Sequence, residues 1–195
     1  LGAALYCWYD DKKNLRKISK QDDMKGSYLG PKYSQDQIEK DLKDLGAVFE
    51  TLSEEDLIEK VSSDLTNNDA IGWFQGRMEF GPRALGSRSI IGNPQSSEMQ
   101  KNLNLKVKYR ESFRPFAPSV LKEDLSEWFD MDCESPYMLL VAKINQNKQI
   151  EMTRDEKNLF GIDKLNIRRS SVPAVTHVDY SARIQTVTKE KNERN

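Results

Sequence analysis

Glycine and arginine are interleaved through one stretch of the chain, residues 72–88, with the sequence GWFQGRMEFGPRALGSR. Glycine allows tight turns and close approach of a ligand to the backbone. Arginine presents paired planar donors that match phosphate oxygens. The pattern therefore predicts a loop that binds a polyphosphate, although its spacing is neither that of a Walker A motif nor GxGxxG. A structural turn that carries solvated arginines is the alternative.

A second cationic stretch, residues 106–118, has the sequence KVKYRESFRPFAP. Cations alternate here with the aromatic residues Tyr109, Phe113 and Phe116. This mixture suits a nucleotide, because its base can stack on rings while its phosphates pair with cations. The alternative is an ordinary basic surface above a core that contains the rings. Since the formal net charge of the chain is only −1, the two stretches concentrate positive charge locally.

A third polar stretch, residues 173–185, contains the only histidine of the chain, His177. Its sequence, PAVTHVDYSARIQ, favours a strand, a turn and a second strand, because Asp179 and Ser181 are typical turn residues. Histidine is the side chain whose ordinary pKa lies closest to neutral pH. A structural histidine is the alternative, and the intervening turn leaves the geometry of a Ser-His-Asp triad undetermined.

Apolar spacing predicts several helices. Ser34 is expected to cap a helix whose buried face carries Ile38, Leu42 and Leu45, with Gly46 at its end. Further helices are predicted after Ser53, at 99–108 and at 123–129.

Short apolar runs predict strands at 47–52, 70–74, 116–121, 137–144, 173–178 and 182–187. Trp73 and Phe74 are expected to be buried in the second of these strands and to hold the arginine-rich stretch in place. The polar residues 145–169 are expected to form a mobile excursion. Alternating helices and strands indicate an α/β or α+β domain.

Composition excludes several classes of protein. A mean hydropathy of −0.75 and the lack of any apolar run near the roughly 20 residues that span a bilayer argue against a membrane protein. The balanced charge argues against a general nucleic-acid binder. Cys7 and Cys133 are far apart and outside any CxxC pair, which indicates ordinary thiols rather than a zinc site. A cytoplasmic location is expected.

The three stretches together resemble the carbamoyltransferase family of nodulation and antibiotic-tailoring enzymes. The family pattern G-W-F-Q-G-R-M-E-F-G-P-R-A-L-G-x-R-S is matched from Gly72 to Ser89. Its K-x-R-E-x-F-R-P-F-A-P is matched from Lys108 to Pro118, and its S-P-Y-M from Ser135 to Met138. Its P-A-V-T-H-V-D-x-x-A-R-x-Q-T-V is matched from Pro173 to Val187. Because the motifs occur in the family's order, the resemblance is specific.

The resemblance implies a C-terminal domain similar to the YrdC fold, with a twisted, largely open sheet, flanking helices and a cationic concave face. It places the end of a preceding transferase module and a linker at residues 1–25, and the YrdC-like domain at 26–195. The family's N-terminal transferase module is the implied partner, and the complete transfer reaction is expected to need it.

The implied reaction joins carbamoyl phosphate to ATP, held with Mg²⁺, and gives carbamoyl adenylate and pyrophosphate. The N-terminal module would then transfer the carbamoyl group to a hydroxyl. Lys108-Tyr109-Arg110 resembles the K-x-R element of YrdC-like proteins. Ser181-Ala182-Arg183 is similar to their Ser-Ala-Asn element, with Arg183 in place of the asparagine.

Adenylation mainly requires neutralised charge and an aligned attacking oxygen. The residues expected to supply these catalytic contacts are Arg83, Lys108 and Arg114. The expected substrate- and nucleotide-binding positions are Arg77, Gly81, Arg88, Arg110, His177, Ser181 and Arg183. No protein metal centre is expected, although Glu79 or Asp179 could help to hold the Mg²⁺ of the nucleotide.

Two alternatives to an enzyme remain open from the sequence. One is a non-catalytic module that binds a nucleotide or RNA. The other is a purely structural partner domain, which leaves the clustered arginines and glycines unexplained.

Overall fold

A computed structural model of the chain describes residues 2–19 and 22–188, which form a mixed α+β structure. The α-helices in these residues are α1 (Gly2–Tyr6), α2 (Gln35–Asp44), α3 (Glu54–Thr66), α4 (Met99–Asn102), α5 (Leu125–Trp128), α6 (Arg154–Asn158) and α7 (Ile162–Leu165). Single π-helical turns continue α1 at Cys7–Asp11 and α4 at Leu103–Val107. Short 3₁₀ turns lie at Lys25–Ser27, Lys122–Asp124, Gln146–Lys148 and Pro173–Val175. None of the helices within 2–19 and 22–188 is long and apolar enough to cross a membrane.

The strands of the described residues form two small open sheets. They are β1 (Ile71–Phe74), β2 (Arg88–Ile91), β3 (Ser119–Leu121), β4 (Leu140–Lys143) and β5 (Ser181–Val187). β1 and β2 pair antiparallel, with Phe74 opposite Arg88. In the second sheet β5 is central, parallel to β3 on one side and antiparallel to β4 on the other.

The structure confirms the predicted α+β class and most of the elements. Ser34 caps α2 by accepting a hydrogen bond from the Gln37 N–H at 3.3 Å, and Gly46 follows the helix with a φ of 67°. Ser53 caps α3 in the same way through the Asp56 N–H. The predicted strands at 70–74, 116–121 and 137–144 are present with narrower limits, and the strand predicted at 182–187 begins one residue earlier, at Ser181.

Two predicted strands are wrong. Residues 47–52 are exposed and irregular, because no neighbouring strand offers them a ladder of hydrogen bonds. Residues 173–178 begin instead with the 3₁₀ turn Pro173–Val175, since proline has a fixed φ and no N–H to give to a sheet. Val175 is nevertheless buried, so its apolar character serves the core without a strand.

Two burial predictions are also wrong. α2 has no buried residue, and Leu45 is 81% exposed, because within the described structure this helix covers no apolar layer. Trp73 is only half-buried and Phe74 is 51% exposed. Both belong to the two-stranded sheet, which lies outside the main core.

The main core lies against the three-stranded sheet. Its buried members are Val120, Leu125, Phe129, Ile144, Val172, Val175, Ala182 and Ile184. A smaller cluster of Met99, Leu103 and Ala174 adjoins it through Phe116, which packs against both. The cationic stretch that precedes Phe116 is therefore attached directly to the core.

Alternation along β5 divides its side chains between the core and the opposite face of the sheet. Ala182 and Ile184 belong to the core. Ser181, Arg183 and Gln185 alternate with them and therefore lie on the other face. One strand thus connects the apolar core with three polar side chains.

Truncating a buried side chain of the central strand β5 should lower the stability of the fold. We expect Ile184→Ala, at a residue that is 0% exposed, to lower the free energy of unfolding by about 2–5 kcal/mol through lost burial and a cavity. The matched control Ile18→Ala, at a residue that is 87% exposed, should change it by less than about 0.5 kcal/mol. Urea denaturation followed by circular dichroism measures both values. Similar values for the two variants would show that β5 is not central to the core.

Candidate functional site

The arginine loop, residues 75–88, connects β1 to β2 and is folded around one buried carboxylate. Glu79 is only 6% exposed. Its Oε1 accepts hydrogen bonds from the backbone N–H groups of Leu85 at 2.7 Å, Ser87 at 2.8 Å and Arg88 at 3.3 Å. Burying a charge is costly unless hydrogen bonds compensate it. Glu79 therefore fixes the second half of the loop.

Side chains at the two ends of the loop close it. Gln75 donates through Nε2 to the Gly86 carbonyl at 3.0 Å. The Arg88 guanidinium donates through Nη1 to the carbonyls of Gln75 and Ser87, each at 2.7 Å, and lies 3.3 Å from the centroid of the Phe74 ring. Arg88 was expected to bind nucleotide, but the structure places its guanidinium among backbone carbonyls of the loop. Its geometry is that of a structural clamp.

The loop is also attached to the rest of the chain. The Leu85 carbonyl accepts hydrogen bonds from the Tyr28 hydroxyl at 2.7 Å and from Gln185 Nε2 at 2.8 Å. Arg77 Nη1 donates to the Gly30 carbonyl at 2.8 Å. These contacts leave Arg83 as an exposed arginine near the exposed Gly81, whose φ of 134° strongly favours glycine.

A buried asparagine organises the second cationic stretch. Asn104 is 0% exposed, and its Oδ1 accepts a hydrogen bond from Arg110 Nε at 2.5 Å. Its Nδ2 donates to the carbonyls of Ser112 and Arg114. The Arg110 guanidinium also lies 5.0 Å from the centroid of the Phe116 ring. Arg110 is thus fixed in place, whereas Lys108 and Arg114 are exposed, and Arg114 pairs with Glu111 at 2.9 Å.

The structure brings together one arginine from each of the three stretches. Burial lowers the pKa of Arg183, and the nearby positive charges of Arg83 and Arg110 lower it further. We call these three residues the arginine cluster. Repulsion of Arg183 by the other two guanidinium groups is relieved when an anion binds between them. The cluster is therefore suited to a polyanionic ligand.

His177 lies beside the cluster in a hydrogen-bonded turn. Its Nδ1 is 3.0 Å from Ser181 Oγ, and that hydroxyl donates to Asp179 Oδ1 at 2.6 Å. Burial lowers the pKa of His177, with Asp179 raising it and Arg183 lowering it. The carboxylate contacts the serine rather than the imidazole, so the order of contacts differs from that of a Ser-His-Asp triad.

An open cavity of about 610 Å³ adjoins this turn. Its apolar lining consists of Phe113, Leu159, Phe160, Ile162, Leu165 and Val178. Gly161, Lys164 and Asp179 complete the lining. Phe113 precedes Arg114, and Val178 follows His177, so residues of the second and third stretches form part of the cavity wall. A volume of this size is typical of small-molecule sites.

The two acids considered for Mg²⁺ have other partners. Glu79 is enclosed by the arginine loop. Asp179 accepts from the Ser181 hydroxyl and N–H and pairs with Lys143, and these contacts lower its pKa. Within residues 2–19 and 22–188, no group of three or more His, Cys, Asp or Glu side chains is placed to hold a metal ion.

Sequence reasoning missed the residues that position the site. Glu79, Asn104 and Gln185 each fix a cationic segment through side-chain hydrogen bonds to a backbone group or to an arginine. Glu79 carried one available signal, because it is a single acid among three arginines of a loop. Asn104 and Gln185 carried none, because a sequence does not show which groups a buried amide side chain contacts, and Gln185 is 100 residues from its partner Leu85 along the chain.

Residues 62–195 match the family described as Carbamoyltransferase C-terminus. An uncharacterized protein from Synechocystis sp. is 54% identical over 100% of the chain and 32% of its own length. The nodulation protein NolNO from Sinorhizobium fredii is 36% identical over 99% of the chain and 25% of its own length. A 3'-hydroxymethylcephem-O-carbamoyltransferase from Streptomyces clavuligerus is 40% identical over 68% of the chain and 21% of its own length.

Removing the buried carboxylate should destabilise the arginine loop. Glu79→Ala leaves the buried N–H groups of Leu85 and Ser87 without an acceptor, at about 1–2 kcal/mol each. We expect a loss of roughly 2–4 kcal/mol in the free energy of unfolding, measured with urea. Glu59→Ala, at an exposed glutamate of α3, is the control and should be nearly neutral. A neutral Glu79→Ala variant would contradict the assigned role of Glu79.

The lowered pKa of His177 predicts a pH dependence of stability. Because the folded pKa lies below the ordinary value of 6.5, the unfolded chain binds more protons between the two values. The contribution of neutral His177 to the free energy of unfolding is thus fully present above pH 6.5 and is lost as the pH falls through the folded pKa. Urea titrations between about pH 7.5 and pH 5 should show wild type losing stability relative to His177→Gln. If the difference in the free energy of unfolding between wild type and His177→Gln stayed constant with pH, this linkage would be excluded.

Proposed function

Because the chain belongs to the carbamoyltransferase family and matches its C-terminal part, we propose that it binds ATP and carbamoyl phosphate and forms carbamoyl adenylate from them. The relatives named as carbamoyltransferases support the general class of reaction. The choice of ATP and of carbamoyl phosphate comes from the family resemblance, and the anion-binding chemistry of the site supports it.

The arginine cluster is the observation that carries the proposal. Arg83, Arg110 and Arg183 come from three separate segments, and none of them forms an ion pair with an acid among the described residues. Guanidinium groups bind phosphate oxygens through paired hydrogen bonds. Two phosphorylated substrates, one of them a triphosphate with Mg²⁺, supply enough negative charge to satisfy all three arginines. Lys108 and Arg114 are exposed on the adjoining segment and can extend this cationic surface.

The neighbouring cavity suits the nucleoside part of ATP. A purine base needs an apolar, partly aromatic wall, and Phe113 and Phe160 provide one. Because Phe113 directly precedes Arg114, a base in the cavity would keep its phosphates on the cationic side. We therefore propose that the base occupies the cavity while the triphosphate lies on the arginine cluster.

The proposed step requires no covalent bond to the protein. A carbamate oxygen attacks the α-phosphorus of ATP, the bond to the β-phosphate breaks, and pyrophosphate leaves. The attacking carbamate forms from carbamoyl phosphate and water, which releases inorganic phosphate. The products of the complete reaction are therefore carbamoyl adenylate, pyrophosphate and inorganic phosphate. The arginines would lower the barrier by neutralising charge and by holding the reacting atoms in line.

The chain spans less than a third of the length of the Streptomyces and Sinorhizobium relatives and 32% of the Synechocystis relative. We propose that a further module of a longer protein transfers the carbamoyl group from the adenylate to a hydroxyl. The segment around α1 exposes the apolar side chains of Tyr6, Trp8 and Leu15, which are suited to contact such a module. The acceptor of the Streptomyces enzyme is stated in its name and belongs to that protein.

Loss of one cluster arginine should weaken nucleotide binding. We expect Arg83→Ala to reduce affinity for ATP with Mg²⁺ about ten- to a hundredfold, because a charge-assisted hydrogen bond contributes about 1.5–3 kcal/mol. Lys108→Ala should have an effect in the same direction. Arg16→Ala, at an exposed arginine outside the cluster, is the control. Isothermal titration calorimetry measures the affinities, and thermal unfolding verifies that each variant is folded.

Two outcomes would contradict this site. Unchanged affinity in both Arg83→Ala and Lys108→Ala would place the nucleotide elsewhere. No binding of ATP by the folded wild type would remove the proposed function itself.

A further inference from the structure

The hydrogen bonds of the 177–181 turn determine where the imidazole proton of His177 lies. A carboxylate only accepts, so the Ser181 hydroxyl gives its single proton to Asp179 Oδ1, at 2.6 Å. Ser181 Oγ can then only accept from His177 Nδ1, at 3.0 Å. His177 Nδ1 must therefore carry a hydrogen. The same Ser181 contact lowers the pKa of Asp179, so the carboxylate stays ionised at neutral pH.

The other imidazole nitrogen, Nε2, is left as an acceptor. Burial lowers the pKa of His177 below its ordinary value of 6.5, so the ring is neutral at pH 7. A neutral ring with a hydrogen on Nδ1 has an unprotonated Nε2. No described residue donates a hydrogen bond to this nitrogen. Ser181, the hydrogen-bond partner of His177, lies on the same face of β5 as Arg183, and this places the ring beside the arginine cluster.

An acceptor is chemically distinctive in this site. Arg83, Lys108, Arg110 and Arg183 present only donors, which suit phosphate and carbonyl oxygens. The amino group of a carbamoyl group is itself a donor and needs an acceptor. The carboxylate of Asp179, another side-chain acceptor of the turn, is already engaged by Ser181 and Lys143.

We propose, as an extension that rests on the proposed function, that His177 Nε2 accepts a hydrogen bond from the amino group of carbamoyl phosphate. His177 then selects a carbamoyl group over an acetyl group, which has a methyl in place of the amino group. No proton is transferred in this contact, so His177 is a specificity-determining residue. The Ser181–Asp179 pair acts through it by fixing the tautomer.

The tautomer can be observed directly, because the chain contains one histidine. In a long-range ¹H–¹⁵N spectrum of the ¹⁵N-labelled wild type at neutral pH, we expect the shifts of the Nδ1–H tautomer. Ser181→Ala should shift the equilibrium toward the Nε2–H tautomer that prevails in free histidine. An Nε2–H tautomer or an imidazolium in the wild type would overturn the proposal.

Selectivity can be measured with two hydrolysis-resistant probes, phosphonoacetamide and acetonylphosphonate. They share a phosphonate and a carbonyl and differ only in an amino or a methyl group. We expect wild type to bind the amide about three- to tenfold more tightly, the value of one net hydrogen bond. His177→Asn retains a donor near the Nδ1 position only and should lose this preference. His177→Gln can place its carbonyl oxygen near the Nε2 position and should recover part of it.

The outcomes separate this inference from the function on which it rests. Equal binding of both probes by wild type, or a preference that survives in His177→Asn, overturns the role of His177 and leaves the phosphate site standing. If wild type binds neither probe, both the role of His177 and the proposed binding of carbamoyl phosphate are overturned. If His177→Asn does not fold, the tautomer and the wild-type preference still decide the question.

Discussion

A single buried carboxylate determines how this chain presents its arginines. Glu79 accepts hydrogen bonds from backbone N–H groups of the second half of the arginine loop and fixes its course. Arg88 then clamps the two ends from outside, through carbonyls of the same loop. The charged side chains of Glu79 and Arg88 thus stabilise the conformation of the loop. Arg83 remains available because Glu79 and Arg88 perform the structural work.

The loop is coupled to the core through β5. On one face of this strand Ala182 and Ile184 pack into the apolar cluster, and on the other Gln185 holds the Leu85 carbonyl of the loop. Arg183 lies between Ile184 and Ala182 in the strand, on the same face as Gln185, and its pKa is lowered by burial and by the positive charge of Arg83. Stability and binding are therefore linked, since displacement of the strand would move both the core and one member of the arginine cluster.

The sequence predicted the segments of the site better than the roles of their residues. Clustered arginines and lysines located the first two stretches, clustered polar residues located the third, and the strand at 182–187 was predicted from a short apolar run. Arg88 was assigned to the ligand because a sequence does not show that a guanidinium faces carbonyls 1 to 13 residues away. The cavity was missed because its lining from Leu159 to Leu165 lies in a polar region without a clear period. The strand predicted at residues 47–52 was wrong because strand-forming residues without a partner strand remain irregular.

The central claim is that the arginine cluster binds two phosphorylated substrates and promotes the formation of carbamoyl adenylate without a covalent bond to the protein. Incubation of the folded chain with ATP, Mg²⁺ and carbamoyl phosphate, followed by measurement of pyrophosphate, tests it most directly. The account predicts pyrophosphate release that requires both substrates and falls sharply in Arg83→Ala. Release from ATP alone, or none with both substrates bound, would contradict it.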